Sequence, residues 1–247
     1  MKKFFIWLTV VLLVSLIGVG GYHYYKFITM KPVANREKLE LDTTSSYANI
    51  MSELKNDTTE YAWTVYINPV YGGNDRGNAA GDVDEADIVL AVAKYVKLMN
   101  QDKDVRIVLA RDADTEPSVE QRMEILTLAD PDMLIELRVG ADNITKSMGV
   151  EVYYDDSYYD YKLTNATFAD VLCRDIVTRT EGVAKGIFVD TNDEYGLLGL
   201  LKKPSAVVLC GNIDNQEERM ALSSDAYRAN MALGILDAIE ECRSCYE

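Results

Sequence analysis

The sequence predicts an α/β domain with a mostly parallel central sheet, helices on both faces of the sheet, and one transmembrane helix before it. Short runs rich in β-branched and other apolar residues, as at 64–67 and 105–110, have the composition of buried strands. Between them lie segments with apolar residues at helical spacing, such as Ile88, Val92 and Val96. Strands that alternate with helices are typical of a parallel sheet covered on both sides.

The predicted elements follow one another along residues 62–241, which we predict to be the folded domain. A helix over 83–98 follows the first strand, and Ser118 opens the next helix with Gln121 in a capping-box pattern. The remaining elements are strands at 133–139, 149–154 and 205–210, a helix at 168–178 and a closing helix at 223–240.

The N-terminal part of the chain predicts a membrane anchor. Residues 1–3 form a short basic head, and residues 4–25 carry no formal charge and are long enough to cross a bilayer. A cleaved signal peptide is the competing interpretation. Residues 26–61 are polar and predict a juxtamembrane stalk, in which 47–54 is a candidate short helix. We therefore predict a single-pass protein of the cell membrane.

The overall composition excludes some classes of partner. Forty acidic and 25 basic residues give a formal charge of −15, which disfavours nucleic acid because no counterion release would drive binding. Four cysteines are too few for a disulfide scaffold in 247 residues. Cys242 and Cys245 lie in a predicted tail at 242–247, where a disulfide and two free thiols are both consistent with the sequence.

The loop after the first strand is the strongest candidate for a functional site. Residues 68–77 read Asn-Pro-Val-Tyr-Gly-Gly-Asn-Asp-Arg-Gly and are followed by a helical pattern. Ligands of open α/β sheets bind at the carboxyl ends of the strands, where such loops lie. A second candidate is the tyrosine-rich stretch 153–161, which suits sugar stacking, calcium binding through Asp155, Asp156 and Asp160, or an ordinary solvated loop.

The loop and five later blocks resemble the zinc-dependent N-acetylmuramoyl-L-alanine amidases of type 3, which cut peptide stems from peptidoglycan. The first motif of that family reads approximately D-P-G-H-G-G-x-D-x-G, and its histidine binds zinc. The similarity extends over about 64–240, so it covers most of the chain beyond the predicted anchor. The later blocks that are similar to family motifs lie at 108–114, 118–122, 131–140, 149–154 and 204–215.

The resemblance implies where the zinc site of the family would lie in this chain. Its two histidines and one glutamate correspond to Tyr71, Arg138 and Glu85, and its catalytic glutamate corresponds to Leu209. A neutral phenol is a poor zinc ligand, arginine stays protonated in proteins, and leucine accepts no proton. We therefore predict no catalytic residue, no metal ligand and no cofactor in a vestigial cleft. Zinc is expected only if the metal site has been rebuilt.

Two further expectations concern the side chains of this cleft. We expect the Arg138 guanidinium to pair with Glu85, with the Tyr71 hydroxyl hydrogen-bonded to one of them; otherwise Arg138 extends to solvent and Glu85 is exposed. Cys210 follows Leu209, and because side chains alternate along a strand, it should point to the other face as a buried structural cysteine.

The function that the resemblance implies is that of an extracytoplasmic amidase-like domain without catalytic activity. Such a domain would bind peptidoglycan or a cell-wall or envelope protein, or regulate cell-wall hydrolysis. The alternatives are an active peptidoglycan amidase with a rebuilt metal site and a purely structural envelope-assembly domain.

Overall fold

A computed structural model of the protein describes residues 47–142, 147–157, 161–191, 194–195, 197–199 and 202–246. The predicted head at 1–3, the predicted anchor at 4–25 and Asp160 lie outside these ranges. No helix within the described ranges is long and apolar enough to cross a membrane. The elements are α1 (Tyr47–Asn56), β1 (Trp63–Pro69), β2 (Ala79–Ala80), β3 (Val83–Asp84), α2 (Glu85–Met99), β4 (Val105–Leu109), α3 (Val119–Ala129), β5 (Met133–Gly140), β6 (Val150–Tyr154), α4 (Asn165–Thr180), β7 (Ala184–Val189), β8 (Ser205–Asn212), α5 (Gln216–Leu222) and α6 (Asp225–Ser244).

The predicted mostly parallel sheet is confirmed. Six strands lie in the order β4-β1-β5-β8-β6-β7. The pairs β4–β1, β1–β5 and β5–β8 are parallel, so the four strands that the sequence predicts most clearly are neighbours in one sheet. Strand β6 runs antiparallel to β8 and parallel to the edge strand β7. The carboxyl ends of β1, β5 and β8 therefore meet at one edge of the sheet.

Helices cover both faces of the sheet. Successive side chains of a strand point to opposite faces, so apolar strands need a core on each side. On one face, side chains such as Ile67 and Ile135 pack in a core with helices α2, α4 and α6. On the other face, Tyr66 and Leu134 pack with α1 and α3. Helix α1 lies within the predicted stalk at 26–61, but its Met51 is buried in this second core.

The end of the chain differs from its prediction in two places. The closing helix predicted at 223–240 corresponds to α6, which begins at Asp225, and the short helix α5 before it was not predicted. The predicted tail at 242–247 begins inside α6, where Cys242 is buried. The Tyr246 ring lies 5.1 Å from that of Trp63, so this segment packs against the domain. Cys242 and Cys245 are both free thiols in the structure.

Candidate functional site: a cleft at the carboxyl ends of the central strands

The four positions taken from the family resemblance converge in space. The Tyr71 hydroxyl lies 3.4 Å from Nη1 of Arg138, and Arg138 and Leu209 are register partners on β5 and β8. Tyr71 and Glu85 both lie against Gly77, where an added Cβ would be 2.5 Å from the Tyr71 ring and 2.7 Å from Oε2 of Glu85. The four residues are thus close enough to one another to form one site.

The expected pair between Arg138 and Glu85 is wrong, because Arg138 pairs with Glu136. Nε of Arg138 donates to Oε1 of Glu136 at 2.5 Å, and Nδ2 of Asn68 donates to Oε2 of Glu136 at 2.8 Å. The Glu136 side chain is 3% exposed and the Arg138 side chain 25%. Burial opposes the charged form of Arg138, but the attraction of Glu136 outweighs it and raises the arginine's pKa.

Glu85 is satisfied by the main chain instead. Its Oε1 accepts from the Val139 amide at 2.8 Å and its Oε2 from the Asn78 amide at 3.0 Å, and the residue is 1% exposed. The alternative expectation, an exposed Glu85, is therefore also wrong. Burial raises the pKa of Glu85, although the two amide hydrogen bonds oppose this shift. The Glu85 carboxylate thus connects the start of α2 to the end of β5.

Two tyrosine rings flank the Arg138 guanidinium. Its Cζ lies 5.8 Å from the ring centroid of Tyr71 and 5.2 Å from that of Tyr195, which are cation–π distances. The hydrogen bond between Tyr71 and Arg138 was expected and is present, but at 3.4 Å it is long. Tyr71 has a left-handed backbone conformation with φ of 59°, which is uncommon for a residue other than glycine.

Two arginines hold the loop that carries Tyr71. Arg111 is 1% exposed and donates only to carbonyl oxygens, those of Pro69, Val70, Ala86 and Ala113, at 2.8 to 3.0 Å. Burial lowers the pKa of Arg111 to about 10.

Arg76, the second of these arginines, bonds three carboxylates: Asp84 at 2.9 Å, Asp114 at 2.6 Å, and Asp87. Burial opposes the charge on Arg76, but the three carboxylates raise its pKa. The Tyr71 loop is therefore a fixed part of the domain.

Leu209, which the resemblance assigns to the position of the catalytic base, lies in an apolar environment. Leu209 is 9% exposed and packs with Tyr195, Leu198 and Val207. The prediction for Cys210 is confirmed: it is fully buried in the core on the opposite face, and burial raises the pKa of its thiol to about 12.

The donors at the three ligand positions do not fit zinc. They are a phenol, a guanidinium and a single carboxylate, that of Glu85. Within the described residues, no group of three or more His, Cys, Asp or Glu side chains is placed to hold a metal ion. The calcium hypothesis at 153–161 stays a prediction, because Asp160 is outside the described residues.

A cleft of about 550 Å³ opens beside Arg138. Its buried part is formed by Asn68 and Glu136, with the partly exposed Arg138 beside them, and its outer part includes Arg122 of α3 and Leu197. We name it the Arg138 cleft. The sequence reasoning did not single out Asn68, Glu136, Tyr195 or Arg122. Alternation alone would have found Glu136, which lies two residues before Arg138 and so faces the same side of β5.

Comparisons with known proteins agree on one family. The family model for N-acetylmuramoyl-L-alanine amidases matches residues 65–241. The chain is 25% identical over 198 residues to the amidase LytC of Bacillus subtilis, a match that covers 79% of this chain but only 38% of LytC. It is 23% identical over 191 residues to the germination-specific amidase of the same organism, covering 71% of this chain and 77% of that protein.

Solved structures show the same fold. The amidase AmiC2 of Nostoc punctiforme is 27% identical with a TM-score of 0.65, covering 74% of this chain and 98% of that one. An amidase from Clostridium difficile 630 is 25% identical with a TM-score of 0.67, covering 74% and 97%. CwlD from Clostridioides difficile, solved in complex with the GerS lipoprotein, is 18% identical with a TM-score of 0.63 and covers 74% and 98%, a likeness of fold alone. By the extent of the family match, this chain belongs to the N-acetylmuramoyl-L-alanine amidase family.

Proposed function

We propose that the protein is a membrane-anchored, extracytoplasmic amidase-like domain that binds cell-wall material or regulates its hydrolysis without cleaving it. The observation that carries the proposal is the side chain of Arg138. By the family resemblance it corresponds to a metal ligand, and an ion pair with Glu136 fixes its position. A fixed cation thus lies where the family places a histidine.

The chemistry of the remaining positions supports the same proposal. Metal-assisted amide hydrolysis needs a Lewis acid at the carbonyl and a base that takes a proton from water. Leu209, at the position of the base, is packed among apolar and aromatic side chains and can accept no proton. The guanidinium of Arg138 would repel a dication at its side. These residues retain a cleft and have lost the groups that the reaction requires.

The location outside the membrane is supported by the sequence alone. Residues 4–25 lack formal charge over a length that suits a bilayer, and the substrate of the family lies in the cell wall. A protein partner in the envelope is a further candidate ligand, since one structural relative forms a complex with a lipoprotein.

Co-sedimentation of the purified full chain with peptidoglycan sacculi tests the proposal. We expect the chain to pellet with the sacculi and to release no peptide stems, with or without added zinc. Peptide release that a chelator abolishes would contradict the proposal and favour the active amidase, the alternative that family membership supports. No binding to sacculi or to envelope proteins would favour a structural domain.

A further inference from the structure

Arg138 is arranged as a receptor for an anion. Glu136 accepts from its Nε, and the rings of Tyr71 and Tyr195 lie within cation–π distance of its Cζ. Nη2 makes no hydrogen bond with any described residue, and the exposed quarter of the side chain lies in the cleft. A guanidinium fixed in this way presents its remaining donors in one plane, which is the geometry that suits a carboxylate.

A second cation lines the same cleft. Arg122 is half-buried on α3 and has no ion pair among the described residues. The first turn of α3 also borders the cleft, through Ser118 and Val119, and a helix N-terminus carries partial positive charge. Three independent features therefore favour a negative group in this cleft.

Asn68 favours a ligand that can donate a hydrogen bond. The residue is 1% exposed, and its Nδ2 is committed to Glu136, which fixes the orientation of the amide. Its Oδ1 is buried without a hydrogen-bond partner in the described part of the chain. An unpaired buried acceptor is costly, so a ligand or a bridging water that donates an N–H or O–H would be stabilised here.

The outer part of the cleft limits the charge of the ligand. Asp75 and Glu116 are exposed and line its opening, so a polyanion would be repelled. The ligand that fits has a single carboxylate, a nearby donor and an otherwise neutral polar body.

We propose that the Arg138 cleft binds the carboxylate of an N-acetylmuramoyl group whose peptide has been removed. This inference rests on the proposed function. The amide named in the family's activity joins the N-acetylmuramoyl acyl carbon to the nitrogen of L-alanine. Hydrolysis breaks that bond, adds the water oxygen to the acyl carbon and leaves a carboxylate there, while the nitrogen departs as an amine on the peptide. This chain would thus recognise the product that hydrolytic relatives leave behind.

Calorimetric titration of the full chain with N-acetylmuramic acid tests the inference. The carboxamide of the same sugar has the same shape without the charge, and L-alanyl-D-glutamate supplies a peptide carboxylate. We expect the acid to bind about tenfold more tightly than the carboxamide, because charge-assisted hydrogen bonds are about twice as strong as neutral ones. The dipeptide should bind no more tightly than the carboxamide. Tighter binding by the dipeptide would mean that the cleft recognises a peptide carboxylate and not that of the sugar.

Two variants and one control connect the binding to the cleft. Arg138→Gln and Arg122→Gln should each weaken binding of the acid about tenfold and leave the carboxamide unchanged. Arg122 makes no ion pair with a described residue, so its variant tests the inference even if Arg138→Gln folds poorly. Arg179→Gln, which breaks an exposed ion pair with Asp237 between α4 and α6, is the matched control and should change nothing.

The outcomes separate this inference from the proposed function. Equal binding of acid and carboxamide, or full binding by Arg122→Gln, overturns the carboxylate receptor. If sacculi still pellet the chain in that case, the proposed function stands. Cleavage of N-acetylmuramoyl-L-alanine by the unmodified chain would overturn both.

Discussion

Two buried glutamates at the starts of helices occupy similar surroundings in different parts of the molecule. Glu85 begins α2 and accepts from the amides of Asn78 and Val139. Glu218 lies in the first turn of α5 and accepts from the amides of Gly149 at 2.9 Å and Asn212 at 2.7 Å. Burial raises the pKa of both side chains, and in each case the amide hydrogen bonds oppose the shift.

The difference between the two regions is the arginine. Glu218 is buried without an ion pair among the described residues, which shows that two amides satisfy a carboxylate in this fold. Glu85 has Arg138 nearby, yet its two oxygens accept from the Asn78 and Val139 amides, so it does not require the arginine. Glu136 accepts no main-chain hydrogen bond among the described residues and depends on the side chains of Asn68 and Arg138. Arg138 is therefore the counter-ion of Glu136; its Nη1 donates to Tyr71, and its Nη2 is left for the cleft.

The largest effect should come from removing Arg138. The change Arg138→Ala strands the buried carboxylate of Glu136 and should lower the free energy of unfolding by about 3 kcal/mol. Adding Glu136→Ala should recover part of that loss, with a coupling energy above about 1 kcal/mol. These variants form a double-mutant cycle. A second double-mutant cycle, which combines Arg138→Ala with Glu85→Gln, should give a coupling energy below about 0.5 kcal/mol. Urea unfolding at neutral pH measures both cycles, and a larger coupling for Glu85 would contradict the assignment of partners.

A smaller effect should appear in the pH dependence of stability. The folded pKa of Glu218 is raised above its ordinary value of 4.5, so the native state favours the protonated side chain. Its contribution is full below the unfolded pKa and is lost as the pH rises through the folded pKa. Glu218→Gln should therefore flatten the decline in the free energy of unfolding above pH 4.5.

The exposed neighbour Glu217 provides the control for this pH series, because Glu217→Gln alters the same helix turn without a buried group. Urea unfolding at several pH values gives the profiles. If the wild-type free energy of unfolding rises with pH where that of Glu218→Gln stays flat, the predicted sign is wrong.

The smallest effect should come from Tyr71→Phe. The hydrogen bond that it removes is 3.4 Å long, and the ring that flanks Arg138 is retained. We expect a loss of about 0.5 kcal/mol in the free energy of unfolding. Thermal unfolding of the variant beside wild type measures it, and a loss as large as that of Arg138→Ala would mean that the phenol, rather than Glu136, holds the guanidinium.

Strands β1, β4, β5 and β8 could be predicted from sequence because each is a nearly unbroken run of apolar residues, which is typical of a buried parallel strand. Strand β7 was missed because Lys185 and Gly186 interrupt it and its position at the sheet edge leaves much of it exposed. Helix α5 was missed because its seven residues are too few to show a clear helical period of apolar residues. Helix α1 was placed outside the domain because only a few of its residues are apolar.

The candidate site was predicted in position and mistaken in its contacts. The four positions that the resemblance assigned, Tyr71, Glu85, Arg138 and Leu209, lie near one another in the fold. The partner of Arg138 was wrong because the hydrogen bonds of Glu85 come from the amides of Asn78 and Val139. Main-chain donors depend on loop geometry and strand register, which residue types do not specify.

The most direct measurement of the central claim is the zinc content of two purified proteins after dialysis against micromolar zinc. One is the unmodified chain, and the other carries Tyr71→His, Arg138→His and Leu209→Glu, with Glu136→Ser because Arg138→His removes the partner of Glu136. We predict that the unmodified chain retains far less than one zinc per molecule and that the variant retains about one, since it restores a three-ligand site. Stoichiometric zinc in the unmodified chain, lost together with amidase activity on chelation, would contradict the account.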